Sequence, residues 1–189
     1  TNNSSKKNII YNLADEIRKI NMGDEIFIRG IIEFSNICRK NCDYCGIRGG
    51  NSKAPRYRIP DDEIIKICVD LKSSDVGTVV LQSGEDLFYT KKKLGNLIKQ
   101  IKLNSGLSIT LSVGERDPET YAYWKECGMD RYLLRFETSN KKIFQTIHPD
   151  DDYDYRINCI KTLKKMGVQT SSGFMIGLPE ATDEDIADD

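Results

Sequence analysis

Three cysteines crowd a short segment of the chain, and their spacing is the strongest chemical signal in the sequence. Cys38, Cys42 and Cys45 form a C-x3-C-x2-C pattern, with Tyr44 directly before the last cysteine. Thiolates are soft ligands that suit iron–sulfur clusters and zinc. On one loop they can hold three corners of a cubane, which leaves the fourth iron open to bind and reduce a substrate. The pattern therefore predicts an open 4Fe-4S cluster.

Three other interpretations compete with an open cluster. The same spacing also describes one face of a helix, but the charged and glycine neighbours of these cysteines are typical of a loop. Structural zinc would need a fourth ligand, and the single His148 has no paired spacing with the cysteines. A closed electron-transfer cluster would use a fourth cysteine, and the remaining three are more typical of core or incidental positions: Cys68, Cys127 and Cys159.

The composition is that of an ordinary globular chain, and in a reducing compartment clustered cysteines indicate a metal before a disulfide. Lys and Arg number 28 against 29 Asp and Glu, so charge gives no argument for nucleic acid. No apolar run is long enough to span a bilayer, and the first residues lack the apolar core of a secretory signal. We therefore expect a cytoplasmic protein that binds neither nucleic acid nor membranes.

Helices and strands alternate along the chain, which predicts parallel strands joined by crossover helices. The strands are predicted at 25–35, 77–84, 107–114, 130–138 and 168–178. The helices are predicted at 8–20, 61–73, 91–103, 118–128, 140–147 and 154–166. Thr182 and Asp185 form a capping-box pattern at the start of a further helix. We expect a helical lead-in over residues 1–24 and an α/β core domain, incomplete at its C-terminal end, over residues 25–189.

Side-chain alternation favours a TIM-like barrel over an open doubly wound sheet. In the third predicted strand, apolar residues alternate with Ser108, Thr110 and Ser112, and in the fourth Arg135 and Glu137 share one face. Strands of an open sheet that are buried on both sides would be nearly continuous apolar runs. We expect a (β/α) barrel truncated after about five strands. Its polar interior would place Thr110 and Arg135 in a substrate pocket and Ser112 in a cofactor pocket.

The cysteine segment, directly after the first strand of a β/α repeat, resembles the signature of the radical S-adenosylmethionine (SAM) superfamily. In that family three cysteines bind a 4Fe-4S cluster, and SAM chelates the fourth iron through its amino and carboxylate groups. One electron then breaks the S–C5′ bond and gives a 5′-deoxyadenosyl radical. The resemblance therefore implies a barrel of the radical SAM type in which cluster and SAM, rather than a catalytic side chain, carry the chemistry.

Two further motifs lie where the resemblance requires them. The tripeptide Ser-Gly-Glu at 83–85 resembles the Gly-Gly-Glu motif that receives the SAM amino group, with Ser in place of the first Gly. The segment GFMIG at 173–177 is similar to the G-x-I-x-G motif near adenine, with Met in place of Ile. Each motif alone is weak, since glycines at strand ends usually form turns. The resemblance implies SAM contacts at Tyr44, Gly84, Glu85 and Met175.

Within the superfamily, several segments resemble the HydE-type maturase of FeFe-hydrogenase: EFSNICRKNCDYCGIR, TVVLQSGED, RYLLRFET and residues 156–159. In that family, charged residues that match Arg135, Glu137 and Arg156 lie around SAM. The simpler interpretation of these three residues is ion pairing between strands or on a helix surface. Arg156 depends mainly on the resemblance, because a solvent-facing Arg would give the same sequence.

The closer resemblance implies a step in assembly of the hydrogenase cofactor, the H-cluster. The substrate would be a small sulfur-bearing molecule, such as an iron–cysteine species. The partners would be an electron donor such as a ferredoxin or flavodoxin and other hydrogenase maturases. Biotin synthase and methylornithine synthase share the architecture and remain alternatives. A non-catalytic iron–sulfur electron carrier would explain the cysteines but not the SAM motifs.

Overall fold

Five parallel strands form one sheet in the computed structural model, which describes residues 4–189, and they follow the order of the sequence. The strands are β1 (Gly30–Ser35), β2 (Thr78–Ser83), β3 (Ser108–Ser112), β4 (Arg131–Leu133) and β5 (Gln169–Ser171). The helices are α1 (Ser4–Met22), α2 (Asp61–Ser73), α3 (Lys91–Ser105), α4 (Pro118–Cys127), α5 (Lys141–Ile147), α6 (Tyr153–Lys165) and α7 (Asp183–Asp188). The predicted α/β class and the parallel pairing are confirmed.

Local signals in the sequence explain where several helices begin and end. Asp117 caps α4, whose first residue is Pro118, and Gly128 ends it with a φ of 112°. Thr182 and Asp185 form a reciprocal capping box at the start of α7, as predicted. None of the helices in residues 4–189 is long and apolar enough to cross a lipid bilayer.

The hydrophobic core lies between the sheet and the crossover helices. Ile109 and Leu111 of β3 are completely buried there, and Tyr132 of β4 packs with them. The three solitary cysteines are buried in the same core, as their positions in the sequence indicate: Cys68, Cys127 and Cys159. The opposite face of the sheet, which we call the lumen face, carries the polar residues of the alternating pattern.

All five strands are shorter than the sequence predicts, and β1, β4 and β5 differ most. Residues 25–29 are not a strand, and the apolar side chain of Ile28 is 73% exposed. The predicted strands 130–138 and 168–178 pair only over Arg131–Leu133 and Gln169–Ser171, and a single bridge from Glu137 to Phe174 continues them. Glu137 has a φ of 68°, and this left-handed conformation ends the extended backbone at the bridge, four residues beyond the last residue of β4.

Candidate cofactor site

The carboxyl ends of the five strands lie along one edge of the sheet, where active sites of β/α barrels form. The segment that follows β1 crosses this edge as a series of turns, so the helix-face interpretation of the cysteine spacing is wrong. Cys38, Cys42 and Cys45 are free and partly exposed on this segment. We call residues 36–52 the cysteine loop.

Backbone amides are directed at the first cysteine of the loop. The Cys38 Sγ atom accepts hydrogen bonds from the backbone N–H groups of Lys40 at 3.4 Å and Glu85 at 3.3 Å. Such donors stabilise negative charge on sulfur and are one of the means by which proteins tune iron–sulfur clusters. The surroundings of Cys38 therefore fit a thiolate that ligates iron.

Gly84 allows the cysteine loop to approach the end of β2. A Cβ atom at this position would lie 2.4 Å from the carbonyl oxygen of Ile37 and 2.6 Å from the Cβ atom of Cys38. Its backbone N–H donates to the carbonyl of Ser35 at 3.2 Å. The glycine of the 83–85 motif is thus required by a close contact with the cysteine loop, not by a turn with positive φ.

A single guanidinium group ties the cysteine loop together. Arg56 Nη1 donates to the carbonyl oxygens of Asn36 at 2.6 Å and Ile47 at 2.8 Å. Its Nη2 donates to the carbonyls of Arg48 at 2.7 Å and Asn51 at 3.1 Å. Arg56 therefore joins the beginning, middle and end of the loop that carries the three cysteines.

The carboxylate of Glu85 is buried between the cysteine loop and β3. Its Oε2 atom accepts from Arg39 Nε at 3.0 Å, and its Oε1 atom accepts from the backbone N–H of Glu115 at 2.8 Å. Gly114, with a φ of 79°, leaves room for the side chain, because a Cβ atom there would lie 2.0 Å from the Glu85 Cγ atom. Each carboxylate oxygen has a second acceptor site, so Glu85 can still receive an ammonium group.

Buried charges lie beneath the cysteine loop. Arg156, only 7% exposed, donates from Nη2 to Asp151 at 2.8 Å, and its Nε atom is paired with Glu115. Lys40 also pairs with Asp151, and its Nζ atom lies 3.7 Å from Glu115. We call these four residues the buried ion network. A solvent-facing Arg156 is excluded by this geometry, although its predicted SAM contact stays a prediction.

The network shifts the pKa values of its members in opposite directions. Burial opposes charge on Arg156, but Glu115 and Asp151 outweigh it and raise the pKa of the guanidinium. Burial likewise opposes charge on Asp151, whereas hydrogen bonds from His148 and Lys40 hold the pKa of this carboxyl well below its usual value. Burial and the charge of Asp151 raise the pKa of the Cys42 thiol to about 12, so iron must displace a firmly held proton there.

His148 connects the network to the cysteine loop, a contact that no spacing in the sequence predicts. Its Nδ1 atom lies 2.8 Å from Asp151 Oδ2 and 3.3 Å from Cys42 Sγ. Its Nε2 atom lies 2.9 Å from the hydroxyl of Tyr44. Cys42, His148 and Asp151 could form part of a zinc site, since their ligand atoms lie within 4.8 Å of one another. The Asp151 carboxylate is already taken by Lys40 and Arg156, which argues against that use.

Two buried oxygen atoms of the predicted site have no hydrogen-bond partner within the described part of the chain: Glu137 Oε2 and Thr110 Oγ1. Glu137 is 5% exposed, and its other oxygen accepts from the Tyr44 hydroxyl at 3.1 Å. Unsatisfied buried polar groups are costly, and strained backbone such as that of Glu137 concentrates at functional sites. Both atoms therefore fit a bound ligand with hydrogen-bonding groups, as SAM is.

The Glu137 backbone joins the fourth-strand segment to the 173–177 motif. Its N–H donates to the Gly173 carbonyl at 3.1 Å, and its carbonyl accepts from the Met175 N–H at 2.9 Å. The Met175 side chain packs against a small apolar cluster around α5. Ser112 is partly buried at the end of β3, and Arg135 is exposed just past β4. The predicted SAM residues thus lie along the same edge of the sheet.

A cavity of about 280 Å³ opens on the lumen face beside the cysteine loop. Glu33 and Gln82 are among its polar walls, and the amide of Gln82 donates to the carboxylate of Glu33 at 3.2 Å. A larger groove of about 890 Å³ lies outside, near the start of α4, and no residue of the cysteine loop lines it. The smaller cavity is lined by Asn36 and Ile47 of the cysteine loop and by Ser83 of the 83–85 motif, so we associate it with the candidate site.

Comparisons with known proteins agree with the site. Residues 32–189 match the model of the Radical SAM superfamily. The "[FeFe] hydrogenase maturase subunit HydE" of Thermotoga maritima is 47% identical over 180 residues, 95% of this chain and 51% of that protein. The biotin synthase of Bacillus velezensis is 30% identical over 186 residues, 95% of this chain and 54% of that protein. The chain spans about half the length of the curated relatives it matches.

Solved structures show the same fold. The methylornithine synthase PylB superposes with a TM-score of 0.91 at 25% identity, over 99% of this chain and 56% of that one. The FeFe-hydrogenase maturase HydG gives a TM-score of 0.85 at 23% identity, over 94% of this chain and 41% of that one, which supports the fold alone. Since the family model covers both the cysteine loop and the strands that position it, the chain belongs to the radical SAM superfamily.

Proposed function

We propose that the chain forms the cluster- and SAM-binding part of an enzyme that reductively cleaves SAM at an open 4Fe-4S cluster, giving a 5′-deoxyadenosyl radical. The observation that carries the proposal is the cysteine loop itself. It presents the three free, partly exposed thiols of Cys38, Cys42 and Cys45 at the carboxyl edge of the sheet. The remaining cysteines are buried in the core, so they are not placed to complete the cluster as a fourth ligand.

The residues around the loop support a SAM site. In this proposal Glu85, whose side chain is buried and whose backbone N–H donates to Cys38, receives the amino group of SAM. Glu137 and Thr110 offer the unpartnered oxygens to hydroxyl or ammonium groups of the bound molecules. We assign the remaining contacts to residues along the same edge: Tyr44, Gly84, Ser112, Arg135, Arg156 and Met175.

For the biological role we infer FeFe-hydrogenase cofactor maturation. The 47% identity to HydE, against 30% to a biotin synthase and 28% to a 3-methylornithine synthase, supports this choice. A cytoplasmic protein of this kind would act on a small molecule such as an iron–cysteine species in the cavity bordered by Glu33 and Gln82. Its partners would be an electron donor of the ferredoxin or flavodoxin type and other maturases.

A second candidate is a radical SAM enzyme of the methylornithine synthase type. The TM-score of 0.91 with PylB over 99% of this chain favours it. A hydrogenase-maturation extract lacking its own HydE separates the two roles, because only a maturase restores hydrogenase activity. Failure of the full-length protein to restore activity in that extract would favour the second candidate.

Anaerobic reconstitution tests the cluster. We expect about four irons per chain and, after reduction, a paramagnetic signal that changes when SAM is added, as an open cubane site requires. Alanine at Cys38, Cys42 or Cys45 should abolish both the iron binding and the paramagnetic signal. Alanine at a core cysteine should leave the iron content and the signal unchanged: Cys68→Ala, Cys127→Ala and Cys159→Ala. Full iron loading in all three loop variants would contradict the proposal. Iron loss with a core cysteine variant that remains folded would indicate a closed cluster or zinc.

A further inference from the structure

His148 is the only histidine of the sequence. Both of its ring nitrogens contact residues of the candidate site. The side chain is 2% exposed. Its ring stacks on Phe144, with centroids 4.5 Å apart and an angle of 5° between the planes. A ring fixed in this way can orient its neighbours, since it has little freedom to turn.

The two ring nitrogens have different tasks. Asp151 is a paired carboxylate and can only accept, so the Nδ1 atom of His148 carries a proton toward it at 2.8 Å. The Tyr44 hydroxyl has one proton, which it donates to Glu137 Oε1 at 3.1 Å, so at 2.9 Å it accepts from the Nε2–H group of His148. A chain of hydrogen bonds therefore runs from the buried ion network through His148 and Tyr44 to Glu137.

This chain determines how the Glu137 carboxylate is held. Tyr44 is the side-chain contact that fixes the Oε1 atom, while the Oε2 atom is buried and unpartnered within residues 4–189. The backbone of Glu137 is held in a left-handed conformation by Gly173 and Met175. With both its backbone and one oxygen fixed, the carboxylate presents the other oxygen in one orientation.

We propose that His148 is a positioning residue of the SAM site, which holds the Tyr44 hydroxyl so that Glu137 presents its free oxygen to a hydroxyl or ammonium group of SAM. This inference rests on the proposed function, because it takes SAM as the ligand of Glu137. His148 touches neither SAM nor the reacting atoms in this role. It acts through Tyr44, one residue before the last cysteine of the loop.

Two substitutions separate the tasks of the ring nitrogens. The amide of Asn in His148→Asn reaches about as far as Nδ1, so it can keep the contact with Asp151 and lose the one with Tyr44. The longer amide of Gln in His148→Gln reaches about as far as Nε2, so it can keep the contact with Tyr44. Both variants are compared with Tyr44→Phe, which removes the hydroxyl but keeps the ring.

The measurement is the SAM dissociation constant of the anaerobically reconstituted full-length protein, by isothermal titration, with iron content and the signal of the reduced cluster as controls. We expect His148→Asn to weaken SAM binding about tenfold at unchanged iron content, the effect of losing one charge-assisted hydrogen bond. His148→Gln should restore most of the affinity. In the Tyr44→Phe background, His148→Asn should change the affinity by less than about twofold, because the shared hydrogen bond is already gone.

Equal SAM affinity of His148→Asn and the parent would overturn the inference. A tenfold loss that persists in the Tyr44→Phe background would also overturn it, since His148 would then act by packing. Loss of iron from both His148 variants would assign the residue to Cys42 instead and overturn it as well. Absence of SAM binding by a parent protein with full iron content would overturn the proposed function itself, an outcome distinct from the other three.

Discussion

At the level of residues, Gly84 and Gly114 lack the Cβ atom that would overlap a neighbouring residue. Gly84 lies against the main chain of Ile37 and the side chain of Cys38, and Gly114 lies against the side chain of Glu85. A motif glycine is usually interpreted as a turn, and the sequence supports no more than that. The structure shows that both positions are contacts between loops that follow different strands, and that Gly114 alone of the two also has a positive φ, of 79°.

Gly84→Ala should therefore damage the cluster site. The added methyl group would overlap the Ile37 carbonyl at 2.4 Å, so the cysteine loop must move away from β2. We expect iron content after reconstitution to fall by at least about half, because ligands must be held in place to retain a metal. The matched control is Gly77→Ala at the other end of the same strand, where a Cβ atom meets nothing within 4 Å. Equal iron content in both variants would contradict the prediction.

Thr110→Val should stabilise the protein without ligand and at the same time weaken ligand binding. The Thr110 hydroxyl is buried without a partner in the described structure, so replacing it with an isosteric methyl group removes a desolvation cost. We expect the free energy of unfolding without ligand to rise by about 1 kcal/mol. Binding of SAM or of the substrate should weaken at the same time. A lower melting temperature together with unchanged binding would show that the hydroxyl serves the fold.

The contacts found only in the structure share one property, which is that they join distant parts of the chain. Lys40 meets Asp151 and Arg156 meets Glu115 across separations of 111 and 41 residues. The spacing of the three cysteines is local and was predictable from their ligand chemistry alone. No short pattern identifies a buried ion pair whose members lie on different loops, so the buried ion network was missed.

At the level of elements, the cysteine loop is an irregular segment without the backbone hydrogen-bond ladder of a β-strand. Instead, the Arg56 side chain donates to four carbonyl groups of the loop. The sequence predicted a loop here from its glycines and charges. It could not predict the loop's path, because the path is fixed by a residue that follows the loop.

Arg56→Lys should loosen the cysteine loop while keeping its charge. A lysine ammonium cannot span four carbonyls as the planar guanidinium does. We expect iron to be lost to a chelator about tenfold faster in the variant, at nearly the same melting temperature of the protein without cluster. Lys53→Gln, on an exposed residue of the neighbouring turn, is the control and should match the parent. Equal rates of iron loss in all three proteins would exclude a role for Arg56.

Asp86 fastens the end of β1 to the loop after β2, and its contribution should depend on pH. Burial opposes its charge, but hydrogen bonds from Arg58, Ser35 and the Phe88 N–H hold the pKa of this carboxyl below its usual value. A lowered pKa in the folded state adds stability above the ordinary aspartate pKa. That stability is lost as pH falls through the lowered value. The free energy of unfolding should therefore fall less steeply with decreasing pH in Asp86→Asn than in the parent. The variant should also melt at a lower temperature at neutral pH. The same dependence of the unfolding free energy on pH in both proteins would contradict this.

At the level of the whole molecule, the alternation of strands and helices was enough to predict the parallel sheet and its order. Strand lengths were predicted less well, because the pairing of β4 with β5 stops at Leu133 and Ser171, although the alternating pattern continues beyond both residues. Helix α1 is amphipathic, yet no residue of it is buried. The pattern predicts a helix correctly but does not say what the helix packs against.

Removing residues 1–24 from the 189-residue chain should leave the thermal stability of the remainder nearly unchanged. The described part of α1 buries no side chain, so its loss costs no core contacts. This outcome would agree with the predicted lead-in over residues 1–24. As a control, Leu163→Ala in α6, which is completely buried, should cost about 2–5 kcal/mol. A large drop in melting temperature on removal of residues 1–24 would assign α1 to the core domain.

The contact between Cys42 and His148 also has a consequence in time. The two residues are separated by 106 positions, and Asn41 contacts Asp150 across 109. During synthesis the cysteine loop leaves the ribosome well before these residues exist, at a rate of roughly 5–20 residues per second. For several seconds each new chain therefore carries three accessible thiols without the side chains that later cover Cys42. The interval is set by the topology of the parallel sheet, and in it the nascent loop is most open to oxidation or to the wrong metal.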